Sequence, residues 1–313
     1  MTKVSIIGAG HVGEIVAFGI VQKELVNEVV LVDIIEDMPQ GKALDMKEST
    51  PIYGSDTHVF GTNDYADIEG SDIVVVPAGV PRKPGMDRMD LLKVNLKICK
   101  SIVGNITKYA PDSKIIYVAN PVDVLTYVAW KLSGFEHNRV FGMAGVLDTA
   151  RYRAFISMEA KVSVKDIQAM VLGGHGDAML PLVRYTNVGG IPVTHFLSQE
   201  QLDKIVERTR KGGGEIVSLL KTGSAYYAPG MAVAEMVEAI IKDQRRVLPV
   251  VAYLDNKYGL NDVYAGAPVI LGKNGVEEVL EIELTPEELA EYQKSVTHVK
   301  EGVKEAMEVL EKI

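Results

Sequence analysis

Three groups of residues carry side chains suited to chemistry. His175 stands in Gly173-Gly174-His175-Gly176-Asp177, at the end of an apolar run from Ile167 to Leu172. A histidine among three glycines is poor core material, and histidine is the usual general acid or base near neutral pH. The glycines themselves cost backbone entropy and mark close approach of a ligand or of another chain segment. Asp148 and Arg151, in Leu147-Asp-Thr-Ala-Arg151, are three residues apart and so share one face of a helix running to about Ala160. Taken alone they equally describe a surface salt bridge, which is worth little. Arg82 and Arg88 belong to Pro81-Arg-Lys-Pro-Gly-Met-Asp-Arg88, where two prolines and a glycine forbid regular structure. Two guanidiniums on such a mobile connection can close over a small anion, each with a planar fork that suits a carboxylate. A solvated basic turn is the competing reading of the same residues. Asn120-Pro121 is placed to orient a ligand, although Asn-Pro is also a common turn dipeptide.

The elements that must position these groups follow from the pattern of apolar runs. Lys3–Ile7 reads as a strand, followed by Gly8-Ala9-Gly10-His11-Val12-Gly13 and a helix pattern to about Lys23; a second strand runs from Glu28 to Asp33. This is the G-x-G-x-x-G arrangement in its required context of strand, turn and helix. Gly8 allows the tight turn, Gly10 lets a pyrophosphate approach the backbone, and Gly13 lets helix and strand pack closely. The helix N-terminus adds free N–H groups and a partial positive charge for the phosphates. Asp33 would accept hydrogen bonds from the ribose hydroxyls and repel a 2′-phosphate, which favours NAD over NADP. A merely tight strand-to-helix turn explains the glycines but not Asp33.

Further strands read at His58–Gly61, Asp72–Pro77, Lys114–Val118 and Arg139–Gly142, with helices at about Pro39–Lys47, Met89–Tyr109 and Val122–Leu132. The alternation predicts an α/β fold: a Rossmann-type, doubly wound parallel sheet over residues 1–146, with its ligand at the carboxyl ends of the strands. The arginine loop follows one of those strands and Asn120 follows another. Asn95, two turns into the helix after the loop, reads by itself as an exposed helical asparagine. Residues 147–313 mix strands (Leu182–Thr186, Val247–Leu254, Val269–Leu271, Val276–Ile282) with helices at Gln199–Arg210 and Pro286–Lys312. They predict a second, α+β domain, to which the family resemblance given below assigns substrate binding and catalysis. Gly212, Gly213 and Gly214 interrupt a helical stretch at roughly 1 kcal/mol each, as a break or for tight packing. Ser224 reads as a helix cap or a substrate contact.

At 313 residues the chain can bury a large core and splits naturally into two subdomains. A net charge of −9 argues against nucleic acid, so positive charge for an anionic ligand must be concentrated locally. The single cysteine, Cys99, allows no intrachain disulfide and fits a reducing compartment; within a helix it reads as a packed thiol. No apolar run approaches bilayer length and the N-terminus enters a strand without a signal peptide, so a cytoplasmic protein with no membrane partner is expected. The six histidines include no pair at metal-ligand spacing on a helix, and no metal is expected.

With these pieces assembled, the chain resembles the NAD-dependent lactate/malate dehydrogenase family, and within it the lactate-dehydrogenase-like malate dehydrogenases. The resemblance covers essentially the whole length. It rests on the glycine turn with Asp33, Pro81-Arg-Lys-Pro-Gly-Met-Asp-Arg88, Asn120-Pro121, Leu147-Asp-Thr-Ala-Arg151 and Gly174-His-Gly-Asp177. It implies that His175 takes the hydroxyl proton of malate as hydride leaves for the nicotinamide, and returns it in reverse. It implies that Asp148 orients His175 and stabilises the imidazolium. Arg151 would bind the carboxylate beside the reacting carbon, and Arg88 would polarise the carbonyl of oxaloacetate as the loop closes. Gly8, Ala9, Gly10, His11, Val12, Gly13, Asp33, Asn95, Val118, Ala119 and Asn120 match cofactor positions, and Asn120 also reaches the substrate. The family's lactate-specific members carry a neutral glutamine where this chain has Arg82. Leaving the second carboxylate of oxaloacetate unpaired under a closed loop costs about 3–5 kcal/mol, so the resemblance implies strong preference for the diacid over pyruvate. It further implies a homo-oligomer, a tetramer rather than a dimer. Pro77 and Ala119 depart from residues usual in the family, and neither removes a functional group. A lactate or broader 2-hydroxyacid dehydrogenase is the nearest competing reading. A non-catalytic NAD-binding sensor is the other, but a sensor needs the glycine turn and no general base.

Overall fold

The computed structural model describes residues 2–80 and 88–313. Arg82 lies outside the described residues, as does the side chain of Arg88. Six strands alternate with helices over the first half: β1 (Lys3–Ile7), β2 (Glu28–Val32), β3 (His58–Thr62), β4 (Ile73–Val76), β5 (Lys114–Tyr117) and β6 (Val140–Gly142). Between them run α1 (His11–Gln22), α2 (Met38–Tyr53), α3 (Arg88–Tyr109) and α4 (Val122–Ser133). All six strands are parallel, in the order β3-β2-β1-β4-β5-β6. Strand order reverses between β1 and β4, the switch point where such sheets bind ligands. The loops after β1 and β4 open there.

The strands read as unbroken apolar runs because helices cover both faces. Successive residues alternate sides. Ile6, Leu31, Val75 and Ile116 pack beneath α1, α2 and α7 (Tyr227–Ile241). Ile7, Val32, Val74 and Tyr117 pack beneath α3, α4 and α8 (Pro286–Leu310). On α3 the buried side chains Leu92, Leu96, Cys99, Val103 and Ile106 recur every three or four residues, a single stripe toward the sheet. Burial pushes the Cys99 thiol up to about 11, which makes it an inert packed thiol as its helical position suggests.

The second half opens with α5 (Gly145–Ala160), then β7 (Ile167–Gln168), β8 (Val171–Leu172), β9 (Leu180–Pro181), β10 (Asn187–Val188) and β11 (Ile191–Pro192). After α6 (Gln199–Leu220) and α7 come β12 (Arg246–Leu254), β13 (Val263–Gly272) and β14 (Gly275–Val279), then α8. The last three strands extend the parallel sheet antiparallel, through Val251 beside Gly142, to nine strands. Tyr152, Ile156, Ile167, Val193, Leu202 and Ile205 form a smaller core between α5, α6 and the short strands. The fold is therefore a Rossmann-type sheet followed by a C-terminal α/β domain. Among the described residues no helix is long and apolar enough to cross a membrane.

Several local expectations are corrected. Ile167–Leu172 is two short strands in different sheets, and Leu182–Thr186 holds a 3₁₀ turn at Val183–Tyr185 instead of a strand. β13 starts six residues before the expected Val269, because Ala265, Gly266, Ala267 and Pro268 pair with β12 despite their weak strand preference. Helix α6 runs through its three glycines to Leu220. Ser224 is exposed and does not cap α7, whose cap position is Tyr226.

Candidate active site

The glycine turn closes one side of the switch point. Gly8 has φ +116°, and a Cβ there would lie 2.8 Å from the Ala78 nitrogen, in the loop after β4. A Cβ at Gly13 would lie 1.9 Å from the Gly8 oxygen, so α1 starts as close to β1 as two backbones allow. A Cβ at Gly10 would meet nothing within 4 Å, which leaves open space in front of the first-turn amides of α1. No side chain caps that helix end. Asp33, just past β2, accepts from the N–H groups of Ala9 at 2.8 Å and Ile35 at 3.1 Å. Its carboxylate is thereby held beside the turn, where ribose hydroxyls would meet it. These residues fit a dinucleotide: open amides for the pyrophosphate, a carboxylate for the ribose. Ile34 and Ile35, 87% and 56% exposed, add an apolar wall beside Asp33 suited to a flat base. Sequence reasoning passed over them; the signal was an apolar pair continuing past the strand end.

Across the switch point, Asn95 is 2% exposed, not an exposed helical residue. Its Oδ1 accepts from the Val80 N–H at 2.8 Å, and its Nδ2 donates to the oxygens of Val80 and Asn120 at 3.3 and 3.1 Å. Asn95 thus ties the loop after β4 to the loop after β5. Val118 and Ala119 are buried, hung on the Val76 carbonyl by their N–H groups, while Asn120 is exposed. His11 is largely exposed, bonded to Glu14 and stacked on Tyr226 at 4.9 Å. Val12 is half-buried at the first turn of α1.

The histidine turn is built by close packing. Gly173 (φ +86°) exchanges backbone hydrogen bonds with Gly266 of β13, and Gly174 donates to Ser295 Oγ of α8 at 2.9 Å. That clamp presents His175 toward the first turn of α5. Its Nδ1 lies 2.9 Å from Oδ2 of Asp148, a carboxylate whose side chain is only 3% exposed. Oδ1 of the same carboxylate accepts from Arg151 Nη1 at 3.3 Å. The pair at spacing i,i+3 is therefore a buried junction, not a surface salt bridge. The Asp148 charge raises the His175 pKa above its ordinary 6.5, against burial, which lowers it. On the other side the His175 N–H donates to Asp123 Oδ2 at 3.0 Å. Asp123 went unnoticed in the sequence because an acid in a helix's first turn is commonplace.

A cavity of about 560 Å³ opens beside this group, lined by His175, Arg151, Asp177, Arg210, Gly213 and Ser218. The described residues thus bring together His175, Asp148 and Arg151, with Asn95, Val118, Ala119 and Asn120 across the strand ends and Gly8–Gly13 and Asp33 at the cofactor side.

A histidine paired with a buried carboxylate beside a cavity holding two arginines, in a chain with a dinucleotide-type sheet, fits a nicotinamide-dependent dehydrogenase. The chain belongs to the lactate/malate dehydrogenase family: residues 2–142 match its NAD binding domain and residues 145–310 its alpha/beta C-terminal domain. NAD is the cofactor of this family of oxidoreductases. The malate dehydrogenase of Roseiflexus castenholzii is 58% identical over 301 residues, 96% of this chain and 97% of that protein. Among solved structures, the apo malate dehydrogenase of Picrophilus torridus is 44% identical and superposes with a TM-score of 0.96 over 99% of both chains. The lactate dehydrogenase of Cryptosporidium parvum with lactic acid and cofactor is 43% identical, at a TM-score of 0.94 over 100% of this chain and 98% of that one.

Proposed function

We propose that the chain catalyses the reversible, NAD-dependent oxidation of (S)-malate to oxaloacetate. The observation that carries this reading is the His175–Asp148–Arg151 junction on the wall of the cavity. It supplies in one place a proton acceptor and a carboxylate-binding cation. The names of the similar malate dehydrogenases support the four-carbon diacid, and so does Arg82, whose charge would pair with the remote carboxylate.

Bound NAD supplies the hydride acceptor in the oxidation direction. His175 takes the proton of the substrate hydroxyl on Nε2, since Nδ1 is committed to Asp148. Asp148 holds the ring in that tautomer and stabilises the imidazolium that forms. Arg151, anchored by one nitrogen to Asp148, turns the rest of its fork to the substrate carboxylate and so fixes C2 over the reaction path. In reduction, the protonated His175 returns its proton to the carbonyl oxygen. Arg88 and Asn120 would polarise that oxygen.

The same reading divides the chain into an NAD-binding domain at 1–146 and a substrate domain at 147–313. It takes the assembly as a cytoplasmic homotetramer. Exposed apolar side chains on α2 (Leu44, Ile52) and α7 (Tyr227, Met231) support self-association. Light scattering should return four times the 34.1 kDa chain mass. For the activity, malate-dependent NADH formation is tested with wild type and His175→Asn, expecting turnover only in the former. Equal turnover by the two would remove His175 from the reaction.

A further inference from the structure

The His175–Asp148 pair has a third member that the reaction as described leaves idle. Asp123 sits in the first turn of α4, 5% exposed, one residue past the N-terminal end of that helix. Its Oδ2 accepts from the His175 N–H at 3.0 Å. Its Oδ1 is buried and has no hydrogen-bond partner among the described residues. An N–H needs only a neutral acceptor, and an asparagine would provide one without the cost of burying a charge. A carboxyl kept here with one oxygen unsatisfied therefore points to work for the charge.

We propose that Asp123 is a second positioning residue for His175, fixing the main chain of the histidine turn and adding a negative charge that helps hold the proton on the imidazole. The two carboxylates act from different elements, Asp148 on Nδ1 from α5 and Asp123 on the backbone from α4. Charge at His175 and charge at Asp123 stabilise each other: the Asp123 carboxylate raises the histidine's pKa, and the His175 N–H and charge oppose the rise that burial imposes on Asp123. Burial still holds Asp123 up at about 6, and two groups that interact this closely titrate as a coupled pair. The other charged groups facing them are Asp148 and Arg151 from α5. Arg210, Lys211 and Glu215 from α6 and Asp177 after the histidine turn also line the cavity. From α8 come Tyr292, a buried phenol that feels the Asp123 charge, and the neutral Ser295. Arg151 acts on His175 in the opposite sense to the carboxylates.

The proposal rests on His175 being the acid–base group of the reaction proposed above, but its test does not use turnover. The imidazole of His175 is titrated by NMR in ring-labelled protein without cofactor, its signal assigned by its loss in His175→Asn. Wild type should titrate above 6.5 with a second, smaller inflection at lower pH, where Asp123 takes a proton. In Asp123→Asn the N–H keeps an acceptor and the charge is gone. The midpoint should then fall by roughly half a unit or more, and the second inflection should vanish. An unchanged midpoint would reduce Asp123 to a backbone acceptor and overturn the proposal, whether or not the second inflection is lost. Should Asp123→Asn not fold, Asp123→Ser serves the same purpose, with the same midpoint shift expected and an unchanged midpoint overturning the proposal. A midpoint shift in a protein that turns over no malate would uphold the proposal and count only against the reaction.

Discussion

Nδ1 of His175 lies 2.9 Å from Oδ2 of Asp148, and that bond decides which ring nitrogen is left for a substrate proton. With Nδ1 committed, Nε2 is the only site on the ring that can exchange one. Asp148→Asn keeps the size of the partner but can stabilise neither the same tautomer nor the imidazolium. We expect kcat to fall about 10²-fold or more, with NADH affinity nearly unchanged. Steady-state kinetics beside a fluorescence titration of NADH checks the split. A loss confined to NADH binding would contradict it.

The pH dependence has opposite signs in the two directions. Asp148 raises the pKa of His175, so its protonated form persists above pH 6.5. In the proposed mechanism, reduction of oxaloacetate needs that proton. Its kcat/KM should hold at low pH and fall as pH rises through the raised pKa. Oxidation of malate needs the neutral ring and should rise through the same pH. By linkage, the stability that this proton contributes is fully present below 6.5 and lost as pH rises through the folded-state pKa. Paired pH–rate profiles test this; limbs of the same sign would contradict it.

Arg151 owes its position to a glycine. A Cβ at Gly212 of α6 would lie 2.3 Å from Arg151 Cδ and 2.8 Å from Nε, so any larger residue displaces the guanidinium stem. Gly212→Ala should raise KM for oxaloacetate about tenfold, equivalent to ~1.4 kcal/mol, despite the better helix propensity of alanine. Gly104→Ala on α3, where a Cβ would meet nothing within 4 Å, is the control. It should leave KM alone and raise stability by up to ~1 kcal/mol. Kinetics and thermal melts on both variants decide the matter; equal KM values would exclude the packing role.

Asp33 accepts two backbone N–H groups beside the glycine turn, where the proposed reading puts the ribose. Asp33→Ser removes the charge that repels a 2′-phosphate. The ratio of kcat/KM for NADH over NADPH should fall at least tenfold, measured with oxaloacetate saturating. An unchanged ratio would mean that selectivity resides elsewhere.

Much of this arrangement was legible in the sequence where local chemistry has a single solution. The glycine turn, the valine-rich strands of the parallel sheet and the histidine among glycines each state their own geometry. Where tertiary contacts decide, the sequence misled. Ala265–Pro268 looks like a strand break, yet the neighbouring β12 supplies its hydrogen-bond partners. The glycines of α6 look like a helix break, yet Gly212 makes room for a side chain from α5. Asn95 and Asp123 look like ordinary helical polar residues, and only the assembled loops reveal them as buried junctions.

The choice of diacid over monoacid is the central claim, and a comparison of oxaloacetate with pyruvate under NADH tests it most directly. The account predicts that kcat/KM for oxaloacetate exceeds that for pyruvate by roughly a hundredfold or more, and that Arg82→Gln removes most of the difference. Equal efficiency on the two substrates in the wild-type protein would contradict it.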